Sequence, residues 1–450
     1  MATMTVEEMK AAASEQIDKR GEELIGLVKD ILHNPESGFR EFETSKRVQK
    51  QMDQFNIPYE APIALTGIKG LVKGGSPGPT IALFGELDGG IIPGRLHANP
   101  QTGAAHGCGH NAQIGMALGA TIGLRDSGVL DLLSGNVAPC ILPAEELIEV
   151  EHRLGLKEQG KIEFFSGKQE FIRLGALDNV DMVVMAHVRG SAEGSFLIGG
   201  STNCHVAKYV EFFGRQAHAA GNPHEGINAL SAASVAQHAM HALRETFEDG
   251  KTMRVHWVLT RAGDELNAIP AQVNMEVRVR ANVPELVAEL DNKVNRCLRA
   301  GALAVGGQVR IRTVPGYLPM INNPDLQELF RSNAAQFEDP STMVIYPPDY
   351  VRGGSEDLGD VSYIKPCIHP YTAGAVGWNH SDNYDIVDYD KAVVRMAKIF
   401  SMTIIDLLSD EAAGAKRVMS NYTPKMSKEQ YLAFQRARAM DSLFDYAAEK

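Results

Sequence analysis

Cysteine, basic charge and long apolar runs are all in short supply in this 450-residue chain. Its five cysteines (Cys108, Cys140, Cys204, Cys297 and Cys367) are odd in number and widely scattered. That pattern is not a disulfide framework, and the expected setting is a reducing cytoplasm. Lys and Arg total 44 against 56 Asp and Glu, a formal net charge of −12. An acidic chain is poorly suited to a phosphate backbone or an anionic membrane surface, so neither nucleic acid nor membrane is an expected partner. No stretch approaches the ~20 apolar residues of a membrane span, and Met1 to Asp18 lacks the apolar core of a signal peptide. Internal repeats and low-complexity tracts are missing too. What is present, 44% hydrophobic and 22% charged residues, suits a globular protein long enough to divide into two domains.

The chemistry concentrates first in His106-Gly107-Cys108-Gly109-His110. Cys108 and His110 stand between an apolar run, Thr80 to Asp88, and a small-residue helical pattern from Gly115 to Leu124. A thiolate and an imidazole flanked by glycines can approach one ion without steric conflict, and that donor pair favours zinc or a similar borderline-soft metal. Further donors follow in order. The run Asn136 to Leu142 leads to Glu145-Glu146, the run from Val180 ends at His187, and His380 lies in Gly377-Trp378-Asn379-His380. Singly, each would pass for a solvated or satisfied polar residue. Recurrence just beyond apolar runs is the distribution expected of functional residues in open α/β sheets.

Gly21 to Leu32 carries the i, i+3, i+4, i+7 apolar spacing of an amphipathic helix, ended by Pro35. Gly70 to Leu142 alternates strand-like runs with a helix, as a βαβ-rich sheet requires. Around Gly199-Gly200 the character changes. Val206 to Phe213 reads as a strand, Gly226 to Phe247 as a helix, and Val273, Met275, Val277 and Val279 alternate as one face of a half-buried strand. A helix over Pro284 to Leu303 and a strand over Gln308 to Val314 complete a β-α-β-β-α-β unit of ferredoxin-like type. The expected organisation is α/β: a mixed-sheet domain over 1–198 and 316–450, interrupted by an α+β unit over 199–315. The tail, Lys416 to Lys450, is polar with a helical pattern and is expected to pack as a helical extension.

In the order Cys108-Gly109-His110, Pro143-Ala144-Glu145-Glu146, Asp181 with His187, and His380, the chain resembles the amidohydrolase branch of the clan MH co-catalytic metallopeptidases. That branch includes aminoacylases, plant auxin-conjugate hydrolases and aminobenzoyl-glutamate hydrolases. The resemblance also embraces Leu32 to Thr44, Gly214 to Ala229, Leu266 to Pro270 and Gly353 to Tyr363, so it covers nearly the whole chain. It implies a metallopeptidase catalytic domain with an inserted lid that also mediates dimerisation. It implies two divalent ions, zinc or manganese with cobalt a further option, held by Cys108, His110, Glu146, His187 and His380, and a general base in Glu145. It implies that His218 reaches across a dimer to stabilise the tetrahedral oxyanion, with Asn267 as a polar substrate contact. Arg352, before Gly353-Gly354, could pair with a substrate carboxylate. Arg278 and Arg280 are alternatives that alternation places on a polar, solvated strand face. His97, His106, His205 and His369 lie near motifs, with His106 and His369 open to supporting roles.

Departures fall in the loops. Leu87 to Pro93 replaces the Asp-Ala-Leu-Pro common in relatives, Gly94 to Ala105 is longer, and Asn111 stands where many carry Asp. The expectation is therefore a cytoplasmic, homodimeric or larger metal-dependent hydrolase. Its substrate would be a small molecule with an amide bond, either an N-acyl or aryl amino-acid conjugate or a small dipeptide. The alternatives are hydrolytic deamination of an aromatic amine, of nitroanthranilate type, on the same site, and a catalytically silent binding relative.

Overall fold

The computed structural model describes residues 4–190 and 193–447. Its largest sheet has seven strands. Six run in the order Tyr59–Ile63, Gly67–Gly70, Ser134–Leu142, Ser76–Glu86, Met182–Val184 and Cys367–Ile368, and Val72–Lys73 pairs alongside Ser134–Leu142. The last four of the six are mutually parallel. Parallel strands covered on both faces must be apolar throughout, and Ile81 to Glu86 is buried at every position. The opening helix extends from Val6 to His33, with Thr5 and Glu8 forming a reciprocal N-terminal cap.

The helix His110–Asp126 packs against both Val6–His33 and the long C-terminal segment Met396–Asn421, two helices joined by a kink at Ser409–Ala412. Gly115, Gly119 and Gly123 line its contact side. A Cβ added at Gly115 would sit 2.6 Å from Val28 and 2.7 Å from Val393, so the glycines permit the close approach of three helices. This packing fixes where the helix begins, and so where His110 points. A smaller sheet of four strands joins Val344–Val351, Phe196–Ser201, Tyr371–Thr372 and His187–Val188, and places His187 beside Tyr371.

A separate hydrophobic core lies under a five-stranded antiparallel sheet. Its order is Met253–Arg261, Gln272–Ala281, Cys204–Phe213, Gln308–Pro315 and Met440–Asp445. The helices Ala229–Ala242 and Pro284–Val305 cover one face, onto which Val273, Met275, Val277 and Val279 turn. The strand Phe196–Ser201, which crosses position 199, belongs to the smaller four-stranded sheet. All five cysteines are free thiols.

The tail corrects an expectation. It is helical through Asn421 and again over Lys428–Ala437, but Met440–Asp445 is a strand that pairs antiparallel with Gln308–Pro315. The reason is a six-residue alternation with period two, in which Met440 and Phe444 pack onto the second core. Residues 448–450 of the expected extension lie outside the described residues.

Candidate metal centre

Each donor sits where a regular element stops. His110 is the first residue of its helix, directly after Gly109, whose φ of 85° lies in the left-handed region. A Cβ there would also lie 2.6 Å from the Tyr384 hydroxyl, so glycine is required twice over. Glu145 and Glu146 follow the strand Ser134–Leu142, and His187 follows Met182–Val184. His380 is carried on a loop whose backbone N–H donates to the Gly107 carbonyl at 2.9 Å, tying the loop to the Cys108 turn.

The structure brings five of the sequence-predicted residues together as two overlapping triads. The donor atoms of Cys108, His110 and His187 all lie within 4.8 Å of one another, and so do those of Cys108, Glu146 and His380. Cys108 belongs to both. Its Sγ is 3.3 Å from His187 Nε2, and Glu146 Oε1 is 3.3 Å from His380 Nδ1. Glu145 is buried beside them, with Oε2 3.8 Å from His110 Nε2.

The donor set fits divalent cations. His110 Nε2 and Glu86 Oε2 approach at 3.0 Å, yet neither makes a hydrogen bond, and Glu146 Oε1 and Asp88 Oδ1, which face His380 and His110, are likewise buried without a hydrogen-bond partner. Orphaned polar atoms converging on one place are costly unless an ion satisfies them. The electrostatics agree. Burial pushes the Cys108 thiol up, but the imidazoles of His187 and His380 outweigh it and hold the group well below its usual range. Glu146 and Cys108 raise His380 to about 10. Burial, followed by the charges of Glu86, Glu146 and Asp357, lifts the Glu145 carboxyl well above the ordinary range. A cluster that must otherwise gather protons to stay neutral is one that cations displace protons from.

Several supporting groups surround the donors, and of these only His106 and His369 were named from the sequence. Glu86 and Asp88 end the Ser76–Glu86 strand, where the rule for strand ends would have found them. Asp88 O lies 2.8 Å from His110 Nδ1, and Asp88 Oδ2 accepts the Glu146 N–H at 2.9 Å. Buried Lys168 bridges Glu86 and Asp357. His187 Nδ1 lies 2.9 Å from His369 Nε2, His369 pairs with Glu356, and the Tyr371 hydroxyl donates to Glu356 at 3.0 Å. His369 thus steadies His187. Two further donor groups, His187-Glu356-His369 and Glu86-His110-Glu145, are as compact as the first two. His106 is buried with both ring nitrogens unpartnered, and burial lowers its imidazole to about 3.

None of the other candidates forms a hydrogen bond or ion pair with a triad side chain among the described residues. His218 is exposed on the lid, its Nδ1 accepting N–H groups of Ala220 and Gly221 at 3.2 and 3.0 Å. Asn267 is exposed next to it, its carbonyl accepting the Ala219 N–H at 2.9 Å. Among the described residues no hydrogen bond or ion pair joins either to the metal donors. Arg352 stacks over Tyr371 at 4.1 Å, and its buried guanidinium nitrogens have no hydrogen-bond partner. His97 packs edge-on against His33. Arg278 and Arg280 are not solvated, as alternation suggested. Both are half-buried, because the polar face of the lid sheet turns toward the Leu147–Val150 segment, where Arg278 bonds the Leu147 carbonyl.

Comparison with known proteins places this arrangement. Residues 200–305 match the model of the M20 peptidase dimerisation domain. The chain is 30% identical over 446 residues to the Xaa-Arg dipeptidase of Mus musculus, covering 95% of both chains. It is 29% identical over 367 residues to IAA-amino acid hydrolase ILR1-like 2 of Arabidopsis thaliana, covering 77% of this chain and 74% of that one. The fold is shared with the YXEP protein of Bacillus subtilis, described as a dinuclear metal binding peptidase from the M20 family. That match has a TM-score of 0.58 and 20% identity over 88% of this chain and 99% of that one. The chain belongs to the M20 family of metallopeptidases. Within it, the protein is a metal-dependent amidohydrolase acting on amino-acid conjugates or dipeptides.

Proposed function

We propose that Cys108, His110, Glu146, His187 and His380 hold two divalent ions, zinc or manganese with cobalt a third option. Cys108 would be shared between the ions and Glu145 would act as general base. The observation that carries this reading is the membership of Cys108 Sγ in both donor triads. Such ions, when bound, polarise a carbonyl and bring the pKa of water toward about 7. Glu145, buried next to Glu146 with Oε2 3.8 Å from His110 Nε2, would take a proton from water as a carboxylate and return it to the leaving nitrogen. Lys168 and Asp357 fix Glu86, and Glu86 with Asp88 orients His110. The substrate class that fits is an N-acyl or aryl amino-acid conjugate or a small dipeptide, with Arg352 offering its unpartnered guanidinium to a carboxylate.

The unit over 199–315 would serve as lid and dimerisation surface. His218 and Asn267, exposed and without a bond to the donors of their own chain among the described residues, would complete a neighbouring subunit's site in a cytoplasmic homodimer. The test is hydrolysis of an N-acyl amino-acid and dipeptide panel by metal-loaded protein, with metal content measured by mass spectrometry. Two ions per chain, with one lost in His380→Ala, is the expected result. Fewer than two ions in the wild-type protein would overturn the shared-thiolate site. Release of ammonia in place of an amino acid would replace the amide reading with deamination.

A further inference from the structure

The chain enters the lid sheet through Thr202 and Asn203 and leaves it through Pro315 and Gly316. These two crossings run against each other, and the His205 N–H donates to the Tyr317 carbonyl at 3.1 Å. A Cβ at Gly316 would lie 2.4 Å from His205 Cδ2 and 2.5 Å from its carbonyl oxygen, so glycine alone allows the approach. The tail makes a third crossing. It first fastens to the catalytic side, where the Met426 N–H donates to the Tyr363 carbonyl at 3.1 Å and Lys428 pairs with Asp178 at 2.7 Å. Arg436 then meets Glu163 through two bonds of 2.6 and 3.0 Å. Shortly beyond, Met440–Asp445 pairs with the lid strand Gln308–Pro315. The tail is therefore anchored on both bodies.

Between the two anchors stand Gln435 and Arg438, and they grip both of the other crossings. Arg438 Nη2 donates to the His205 carbonyl at 2.8 Å, where the chain enters the lid. Gln435 Nε2 donates to the Gly316 carbonyl at 3.1 Å, where it leaves, and Arg438 Nη1 stands 3.5 Å from the same oxygen. The pair is itself joined, with Arg438 Nη1 donating to Gln435 Oε1 at 2.8 Å. His205 and Gly316 are both buried. A guanidinium bond to a buried carbonyl is charge-assisted and stronger than a neutral one, and the planar fork reaches two acceptors at once. From the catalytic side, Gln169 adds its amide to the Gly316 carbonyl at 3.2 Å.

The crossings lead directly to the site. Tyr317, the residue after Gly316, is buried, and its ring packs edge-on against that of His205 at 4.5 Å. Its hydroxyl donates to the Glu145 carbonyl. The backbone of Glu145 is thus held by a side chain whose own backbone the tail fixes. We propose that the Gln435–Arg438 pair is a clasp that sets the lid against the metal site, and that Arg438 is a positioning residue for hydrolysis, acting through Gly316 and Tyr317 on Glu145. A tail that only filled a groove would need apolar contact at this place, not polar donors aimed at the carbonyls of two crossing strands.

The link to Glu145 rests on its reading as the base, whereas the clasp does not, and two measurements separate their failures. Amide hydrogen exchange is followed at residues 202–206 and 315–318 in the wild type, Arg438→Met, Arg438→Lys and Arg436→Ala. The last removes an exposed contact from the same helix. Exchange at both crossings should quicken by about tenfold or more in Arg438→Met, recover in part in Arg438→Lys, and stay unchanged in Arg436→Ala. Should Arg438→Met fail to fold, Gln435→Leu carries the same test at residues 315–318. Turnover is then measured with metal-loaded protein on the amide panel. In Arg438→Met kcat should fall by about ten- to a hundredfold with KM little altered and metal content unchanged, and Arg438→Lys should lie between. Faster exchange confined to the Arg438 and Gln435 variants supports the clasp even if no amide in the panel is cleaved. Exchange indifferent to both residues overturns it. A loss carried by KM alone, or an equal loss in Arg436→Ala, overturns the link to Glu145.

Discussion

The catalytic sheet and the lid sheet handle charge in opposite ways. In the catalytic sheet, Ile81 to Leu83 is closed in by helices on one face and the 358–364 segment on the other, and charge appears only where the strand ends, at Glu86 and then Asp88. In the lid, Val273 to Val279 alternates, so helices cover one face and charge runs along the whole of the other, through Glu276, Arg278 and Arg280. The first arrangement gathers acids, imidazoles and a thiol into a single point that suits divalent cations. The second spreads guanidiniums along a wall. A parallel sheet buried on both faces concentrates chemistry at its edge, whereas an antiparallel sheet covered on one side can present it along a surface.

That contrast can be broken most sharply at the point cluster. Cys108→Ala should strip both ions, because its thiol is common to both triads, and activity should fall to background. Metal analysis showing one ion retained would deny the sharing. Glu145→Gln should keep both ions and lower kcat by about 10²–10⁴, and near-wild-type turnover would remove the base assignment. Next in size is packing. Leu83→Ala, in the fully buried half of its strand, should cost about 2–5 kcal/mol in denaturant unfolding. Leu443→Ala, on the exposed edge of the lid, should cost well under 1 kcal/mol.

A subtler difference concerns the tail that links the two sheets. Asp360 is buried under the helix Lys428–Ala437, accepting from the Tyr431 hydroxyl at 2.9 Å and from Gln435 at 2.6 Å. Burial raises it to about 8. The folded protein thus holds a proton that the unfolded chain releases near its ordinary value. The stability this lends is complete below pH about 4 and is lost as pH rises through about 8. Asp360→Asn should flatten that slope and raise the melting temperature at pH 9 relative to wild type, and an unchanged profile would show that Asp360 is ionised when folded. Of similarly small size, Asp441→Ala removes the two-pronged contact with Arg310, 2.8 and 2.7 Å, but at an exposed site. It should shift stability by about 1 kcal/mol or less.

Much of this architecture was legible in the residues. The two lid helices, Ala229–Ala242 and Pro284–Val305, and the strand Gln272–Ala281 announce themselves by periods of 3.6 and 2. Of the residues that gather in the triads, Glu145, Glu146 and His187 were legible because they follow apolar runs, whereas His380 follows none. Other features were not. Lys168 sits inside a short helix, and nothing in its neighbourhood signals that it is buried between Glu86 and Asp357, which precede and follow it by 82 and 189 residues. Met440–Asp445 is too short an alternation to stand out in a polar tail, and it becomes a strand because Gln308–Pro315 offers it an edge. His369 was open to a supporting role from the sequence, but its partner was not legible, because its contact with His187 spans 182 residues.

Local spacing and residue type determined which segments are helix or strand, and that sulfur, imidazole and carboxylate donors stand at their ends, because backbone period and side-chain chemistry are properties of a short stretch. Only the tertiary structure decided that one thiol serves two triads and that the arginine-bearing face of the lid strand looks inward. Alternation tells a strand that its two faces differ, and it takes the other body of the fold to say which face meets water.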